Sequence, residues 1–421
     1  MVRLLKGLLL PYVLAAGVAS AQADGEHRQH MVAGVDVGYV DTAGLTSWTN
    51  GFVGKLRYDD SDDGLLISRA FLDYELRVAD TVDAHAALEL YDDGLGAVVD
   101  ATEAYLEWRP VPRSANRYRL KLGAFYPRIS LENTDPGWGS PYTLNPSTLN
   151  TWVAEELRTV GAEISVTRRP RALGGEHQFG LQFAMFWVND PAGSLLAWKG
   201  WSAHDRQSRI SDTLPLPPLP QLEEEGIFEY QDPFVRPFRE VDNRAGYYFN
   251  AEWRKGNQLL VRAMHYDNRA DPVKFVTGQY AWTTKFDHVG IQLALPAGFG
   301  LIGQWMYGTT VMGPVVNGAH LVDVAYDSAF LLLTKAMDKH RFSLRYDNFE
   351  VEQYDQTPDD NNPEDGLAWT ASYRYALSDK VSFAAEWLSI KSHHCGWVYY
   401  DIDPNATERQ LQLSVMLRFA R

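Results

Sequence analysis

Connections of two very different lengths separate the strand-like segments of this chain, and short and long connections alternate. Short connections are residues 79–82, 255–257, 296–298, 337–339 and 377–380, and long ones are residues 126–158, 189–243, 268–283, 310–321, 350–366 and 391–407. Alternate connections of an antiparallel sheet lie at opposite ends of its strands. Long loops at one end and short turns at the other are typical of a transmembrane β-barrel.

The segments between these connections alternate apolar and polar residues with the period of two that indicates a strand. Residues 410–419 are an example, because Leu411, Leu413, Val415 and Leu417 share one face. Counting from residues 48–58 predicts an all-β fold, an antiparallel transmembrane barrel of about sixteen strands over residues 48–421. We leave residues 24–47, which include a weak alternation at 31–40, outside this barrel.

The first residues resemble an export signal. Arg3 and Lys6 precede an apolar run over residues 8–19, and small residues follow it, so residues 1–23 are predicted to be a cleaved signal peptide. The formal net charge of −15 argues against a nucleic-acid partner. With a single cysteine, disulfides do not hold this fold together. An exported β-protein of this kind is placed in the bacterial outer membrane, in contact with lipid and lipopolysaccharide.

The polar face of the predicted strands is expected to line a water-filled lumen, because sixteen strands enclose a channel. Charges of both signs occupy that face, and they set which ions or small hydrophilic solutes pass. The predicted pore-lining residues are Arg57, Arg69, Asp73, Glu75, Arg77, Glu103, Glu107, Arg109, Arg119, Lys121, Arg341, Arg345 and Arg374.

The long connection at residues 126–158 is too apolar for a free coil, so we predict that it folds into the lumen as a constriction loop. Its acids are expected to face the wall arginines, and these acids are Glu132, Asp135, Glu155 and Glu156. The longest connection, residues 189–243, carries a proline-rich run at 214–220 that favours an extended strap in an outer loop.

Four segments resemble the phosphate-selective (O/P-type) porin superfamily of Gram-negative outer membranes. They are Thr102-Glu-Ala-Tyr-Leu-Glu-Trp108, Gly123-Ala-Phe-Tyr-Pro127, Ser130-Leu-Glu-Asn133 and Leu149-Asn-Thr-Trp-Val-Ala-Glu-Glu-Leu-Arg-Thr-Val-Gly-Ala-Glu163. The resemblance is clearest over residues 66–188. It implies a porin, a homotrimer of sixteen-stranded channels with inward-folded loops, through which small anions or other small hydrophilic solutes diffuse.

The chain departs from that superfamily in the charge of its outer loops. The superfamily gathers Arg and Lys there, whereas this chain has acidic runs at residues 59–63, 92–93, 223–225 and 359–360. An acidic mouth concentrates cations and repels phosphate. Passive diffusion with an acidic mouth is therefore the first hypothesis, and a phosphate- or anion-selective channel is the alternative. The C-terminus departs as well, because Phe419, the expected assembly signal, is followed by two residues.

Two further classes of protein remain open at this stage. An outer-membrane barrel hydrolase would need a serine beside a strand-borne histidine such as His85, His265 or His288, and the strand pattern places none there. A secreted glycan-binding β-protein would explain the aromatic content. We predict no enzyme activity, no cofactor and no metal site, although His393-His394-Cys395 and the acids at 59–63 were weighed as metal ligands.

Overall fold

Sixteen antiparallel strands close into one barrel, in which β1 pairs with both β2 and β16. The computed structural model describes residues 29–169 and 175–421, so the predicted signal peptide lies outside the described residues. The strands are β1 Gln29–Ala43, β2 Gly64–Ala79, β3 Val82–Leu90, β4 Val99–Trp108, β5 Asn116–Phe125, β6 Thr159–Arg168, β7 His177–Trp187, β8 Gly246–Lys255, β9 Leu259–Asp267, β10 Thr283–Ala294, β11 Phe299–Val316, β12 Ala319–Met337, β13 His340–Gln353, β14 Glu364–Ser378, β15 Val381–His394 and β16 Asn405–Ala420.

The predicted asymmetry of the connections is present, with one exception. Short turns such as residues 80–81, 338–339 and 379–380 lie at the end where Met31 N donates to Arg421 O (3.0 Å), which is the periplasmic end of such barrels. The exception is residues 310–321, predicted as a long loop. There β11 and β12 continue to a two-residue turn at Asn317 and Gly318, whose φ values of 54° and 96° suit an Asn-Gly hairpin.

The barrel begins at Gln29 rather than at residue 48, which corrects the predicted boundary. Residues 44–63 form a folded loop that opens with a 3₁₀ turn at Trp48–Asn50. Ser47 caps this turn, because its Oγ accepts from Thr49 N and donates to Leu56 O (2.8 Å). Residues 53–58 are buried on both alternating faces, so the alternation there does not mark a strand, whereas the weaker, glycine-containing pattern at 31–40 is the true first strand.

The two faces of the wall differ as a membrane requires. Outward-facing Trp305, Leu331 and Trp369 are more than 40% exposed, whereas their inward neighbours Gln304 and Thr370 are buried. An apolar exterior and a polar interior are the pattern of a transmembrane barrel, and barrels of this type reside in the bacterial outer membrane. No helix within the described ranges is long and apolar enough to cross a bilayer.

Loops fill the outer half of the lumen. Two short helices, α1 Thr148–Glu156 and α2 Ser194–Lys199, are buried along their whole length. Trp152 of α1 packs edge-on against Trp201, Phe286 and Tyr326, with ring centroids 5.2–6.1 Å apart. We call this inward-folded material from residues 44–63, 126–158 and 188–245 the plug.

Candidate functional site: the lumen and its plug

The loop at residues 126–158 crosses the lumen at mid-height and bonds to walls on several sides. Its backbone groups serve as the hydrogen-bonding partners, so the contacts fix the path of the chain. Arg128 O accepts from Asn250 (2.8 Å) and Ile129 O accepts from Arg262 (3.2 Å). Leu131 N donates to Gln304 (2.8 Å), Gly137 N to Asp73 (3.2 Å) and Asn145 N to Glu386 (2.9 Å). Hydrogen bonds to β2, β8, β9, β11 and β15 therefore fix the position of this loop.

Glu132 anchors this loop to one wall. Its Oε2 lies 3.3 Å from Arg345 Nη1, and Arg345 Nε donates to Asp347 Oδ2 (2.8 Å); all three side chains are fully buried. Glu132 Oε1 also accepts from Ser147 N (2.7 Å), which holds the residue that caps α1. A buried carboxylate needs such donors, because leaving it unpaired costs several kcal/mol.

Asp135 contacts the wall in a wetter setting. It lies 2.8 Å from Arg418 Nη2, and its side chain is 25% exposed. Next to it, Gly137 has φ +63°, and its carbonyl accepts from Arg69. A side chain at this position would meet Arg69 and Phe71 within 3 Å, so the close approach requires glycine.

Glu155 and Glu156 do not face wall arginines, which corrects the expectation from the sequence. They end α1, and that helix points them into the plug. Glu155 pairs with Lys199 and with His204 Nε2 (2.8 Å). Burial by itself raises the pKa of the Glu155 carboxyl, but Lys199 and His204 outweigh it and lower that pKa to about 2.

Glu156 binds the start of α2 instead. Its carboxylate accepts from Leu195 N (3.0 Å), Leu196 N (3.2 Å) and Trp152 Nε1 (2.6 Å). Burial nevertheless raises its pKa to about 7. The two neighbouring glutamates therefore join α1 to α2 with opposite shifts in pKa.

A second buried ion pair ties the first loop to the barrel. Lys55 Nζ lies 2.6 Å from Glu364 Oε1 and donates to Lys199 O (2.8 Å). The Lys199 ammonium sits 4.2 Å from the Trp48 ring centre. Lys55, Lys199 and His204 were not among the predicted site residues, because nothing in a loop sequence reveals which charges become buried.

The predicted lining residues of β2 to β5 form an ion-paired ladder. Arg69 pairs with Glu89, and Arg77 pairs with Asp83. Arg109 pairs with Asp83 and with Glu75 (2.9 Å), while Glu107 lies 3.6 Å from Arg119. The remaining members are Glu103, which accepts from Tyr126 N (2.8 Å), and Lys121, whose Nζ lies 4.3 Å from the Tyr105 ring centre.

Arg57 lies on the loop at residues 44–63 and not on a strand. It still reaches the ladder, because its Nη1 lies 2.9 Å from Asp205 Oδ1 and donates to Ser68 O (2.9 Å). Arg57 and Asp205, both from the plug, therefore form a further ion pair next to Arg69 on the ladder.

Exposure along the ladder differs from exposure on the opposite wall. On β2 and β3, Asp73 is 24%, His85 is 14% and Arg69 is 11% exposed, whereas Glu89, the partner of Arg69, is buried at 1%. Arg345 and Asp347 on β13 are at 0%. The plug therefore covers the charges on β13 completely and leaves Asp73 and His85 on β2 and β3 partly exposed.

Arg341 and Arg374 face the lumen nearer the periplasmic end. Arg341 Nη1 donates weakly to Thr334 Oγ1 (3.4 Å), and Arg374 Nη2 donates to the loop at Thr143 O (3.3 Å). Within the described ranges, neither guanidinium has a carboxylate within 4.0 Å.

The residues considered as possible metal ligands in the sequence do not form a common site. His393 faces outward beside Asp365 (3.4 Å), and His394 is buried on the inner face, so the two cannot share an ion. Asp59 caps a 3₁₀ turn, and Asp63 accepts from Thr42. One acidic group, Asp190, Glu240 and Asp242, brings its oxygens within 4.8 Å in the described part of the chain.

The histidines considered for hydrolysis have partners other than serine. His85 lies 3.7 Å from Asp73, and His265 lies 2.9 Å from Asp287 on the outer surface. His288 is buried against Gln304 (2.8 Å).

Comparison with known proteins places the fold among porins. No protein-family profile matches the sequence, and no curated protein matches it. The chain is similar in structure to an anion-selective porin from Comamonas acidovorans, with a TM-score of 0.52 and 13% identity over 94% of this chain and 100% of that one. It is also similar to the outer-membrane channel DcaP of Acinetobacter baumannii, with a TM-score of 0.49 and 11% identity over 95% and 99% of the two chains. The first likeness agrees with the sixteen-stranded porin fold.

Proposed function

We propose that this protein is an outer-membrane porin through which small hydrophilic solutes or ions diffuse passively. The observation that carries the proposal is the partly exposed, ion-paired ladder on β2 to β5, because a polar surface that keeps contact with water at mid-height gives hydrated solutes a path. A barrel with a packed lumen would bury Asp73 and His85 as it buries Arg345.

The proposed route passes between the ladder and the tip of the constriction loop. Trp138 stands at this tip, stacked on Tyr126 with ring centroids 4.7 Å apart, and it is half-buried. Asp73 and His85 line the opposite side. Small movements of the plug along this partly exposed side would set the width of the route.

We propose a cation preference, which rests on the outer mouth. Two acids of the predicted acidic mouth do not face solvent freely, because Asp93 pairs with Arg206 (2.6 Å) and Asp360 is buried beside Gln221 (2.9 Å). Asp60, Asp92, Asp359 and residues 223–225 stay exposed and keep the mouth acidic. The Comamonas acidovorans neighbour is named as anion-selective, so anion preference is the competing outcome.

We also propose that the protein forms a homotrimer surrounded by lipid and lipopolysaccharide. Support comes from the outer surface: β3 and β4 present the small side chains Ala84, Ala86 and Ala104, which let a second barrel approach closely. On β11 and β14, Trp305 and Trp369 suit the lipid interface instead. Chemical cross-linking in native membranes tests this assembly, and a monomer alone would contradict it.

Single-channel recording in a planar bilayer tests the central proposal. Purified protein should give stepwise openings, and a potassium chloride gradient should give a reversal potential of the cation-selective sign. The opposite sign would replace the cation preference with the anion alternative. Folded, inserted protein without openings would overturn the porin proposal.

A further inference from the structure

A groove of about 440 Å³ runs along the outer surface of the barrel, from β11 to β16. Its floor lies at Ala371 of β14 and Ala385 of β15. Phe342, Leu344 and Trp387 form its sides, and they are 43–47% exposed on the outer face. The groove therefore opens toward the membrane and not toward the lumen.

The strand register places the two alanines of the floor together. Ala371 is the partner of both Leu344 and Trp387, and Ala385 is the partner of Tyr373. Ala371 and Ala385 are thus diagonal neighbours on the outer face. Because two small side chains meet between larger ones, atoms that would level the surface are missing here, and the sheet presents a depression.

The groove begins at the periplasmic end of the barrel. Phe299 and Lys335, at one end of the groove, are strand partners next to the periplasmic turn at residues 296–298. Trp387 and Leu411, at the other end, lie in the middle of β15 and β16. The groove therefore rises from the periplasmic interface toward the middle of the membrane, which is the depth that the chains of one lipid leaflet occupy.

One cation lies at the periplasmic end of the groove. Lys335 Nζ donates to Ala297 O and lies 4.3 Å from the Phe299 ring centre. Among the residues that the structure describes, no carboxylate lies within 4.0 Å of this ammonium. An ammonium has three N–H donors, so two of them stay available to an anionic group at the membrane interface.

We propose that this groove binds one phospholipid of the periplasmic leaflet, with its phosphate at Lys335 and one acyl chain along Ala371 and Ala385. An ammonium and a phosphate form a charge-assisted hydrogen bond. Lipid chains are as apolar as the groove, so the hydrophobic effect does not favour one chain over another. Van der Waals contact with the shaped surface and the ion pair at Lys335 hold this lipid in place.

The charge and the position of the groove favour a phospholipid over other occupants. A second copy of the chain would enclose Lys335, and burying an unpaired ammonium is strongly unfavourable. The alanine face proposed for contact between barrels lies on β3 and β4, outside the groove. Lipopolysaccharide belongs to the outer leaflet, whereas the cation of this groove lies at the periplasmic end.

Native mass spectrometry of the detergent-purified protein, after incubation with phosphatidylglycerol, counts the lipids that stay bound. The variant A371L/A385L fills the groove with apolar atoms. Its matched control, A251L/A263L, makes the same change at outward-facing partner alanines of β8 and β9. K335Q removes the proposed phosphate contact, and K339Q, at an exposed lysine of the adjoining periplasmic turn, is its control. Resistance of the folded band to detergent at room temperature verifies folding of each variant.

We expect the wild type and A251L/A263L to retain one phospholipid per chain. A371L/A385L should weaken that binding about tenfold or more, because the leucine side chains occupy the space of the acyl chain. K335Q should weaken it about threefold, which is the strength of an exposed ion pair, and K339Q should not. No bound phospholipid in the wild type, unchanged binding in A371L/A385L or in K335Q, or an equal loss in either control would overturn the proposal.

Photo-cross-linking in native membranes identifies the occupant. A benzophenone amino acid in place of Phe342 should gain the mass of a phospholipid on irradiation. A cross-link to a second copy of the chain would assign the groove to contact between barrels, and a cross-link to lipopolysaccharide would assign it to the outer leaflet; either result would overturn the proposal. Neither measurement requires conduction, so a negative result leaves the porin proposal intact, and a barrel without channel openings leaves the lipid site intact.

Discussion

At mid-height the charged side chains on two sides of the lumen differ in their exposure to solvent. On β13, Arg345 is sealed beneath the plug with Glu132 and Asp347, and none of the three is exposed. On β2, Arg69 and Asp73 meet the tip of the same loop at Gly137 but keep contact with solvent. A single loop therefore buries the charges on one wall and leaves charged side chains on the other partly exposed.

Cysteine accessibility gives the sharpest test of this comparison. In a C395S background, a charged thiol reagent should modify D73C and block conductance, because that position lies on the partly exposed side. S328C should remain unmodified, since Ser328 is fully buried where its Oγ meets Thr148 Oγ1 (3.0 Å). Mass spectrometry reports the modification directly, and equal labelling of the two positions would remove the distinction between the walls.

The anchor should contribute more stability than any exposed pair on the same loop. Glu132→Ala keeps the Arg345–Asp347 pair but leaves the buried donors Ser147 N and Asn150 Nδ2 without their carboxylate acceptor, and we expect it to lower the free energy of unfolding by about 2–3 kcal/mol. Asp135→Ala is the matched control, because it removes a loop acid whose arginine partner is partly exposed; there we expect less than about 1 kcal/mol. Urea unfolding in lipid vesicles measures both, and similar losses would show that burial does not distinguish the two contacts.

A smaller effect concerns the pH dependence of the plug. Glu156 has a folded-state pKa of about 7, above the ordinary value of 4.5. Between these values the folded chain keeps a proton that the unfolded chain has lost, so stability is greatest below pH 4.5 and falls as pH rises through 7. The full change is about 3 kcal/mol.

Glu156→Gln should flatten this slope between pH 5 and pH 8, as measured by urea midpoints. Glu224→Gln, at an exposed acid of the same plug, should keep the wild-type slope. Glu155 acts in the opposite sense, because its pKa of about 2 gives stability that is lost only as pH falls below 4.5. An unchanged slope in Glu156→Gln would assign the pH dependence to another group.

The sequence predicted the architecture better than the site, for a physical reason. Strand periodicity and connection lengths are local, so residues 410–419 and the turn at 255–257 were placed correctly. The prediction of a strand over residues 48–58 is wrong because this loop is enclosed by the lumen, where both alternating faces of residues 53–58 are buried. The weak alternation at 31–40 became β1 because β2 and β16 supply its hydrogen-bonding partners.

The same limit applies to the acids of the constriction loop. Glu132 and Asp135 reach wall arginines, while Glu155 and Glu156 turn toward Lys199 and α2. All four are glutamate or aspartate in one loop, and composition does not separate them. The cations that Glu132, Asp135 and Glu155 meet lie 213, 283 and 44 residues away in the chain, so only the path of the loop decides which acid meets which cation.

The sequence by itself determined that this chain forms a barrel of about sixteen strands with a polar lumen and an apolar exterior, because those properties follow from a period of two and from the lengths of connections. Only the tertiary structure decided that the outer half of the lumen is packed, that Arg345 on β13 is buried while Asp73 on β2 stays partly exposed, and that Glu155 and Glu156 meet α2 rather than the wall. These properties depend on the closure of the barrel and on the path of its loops, which bring together side chains that no local pattern connects.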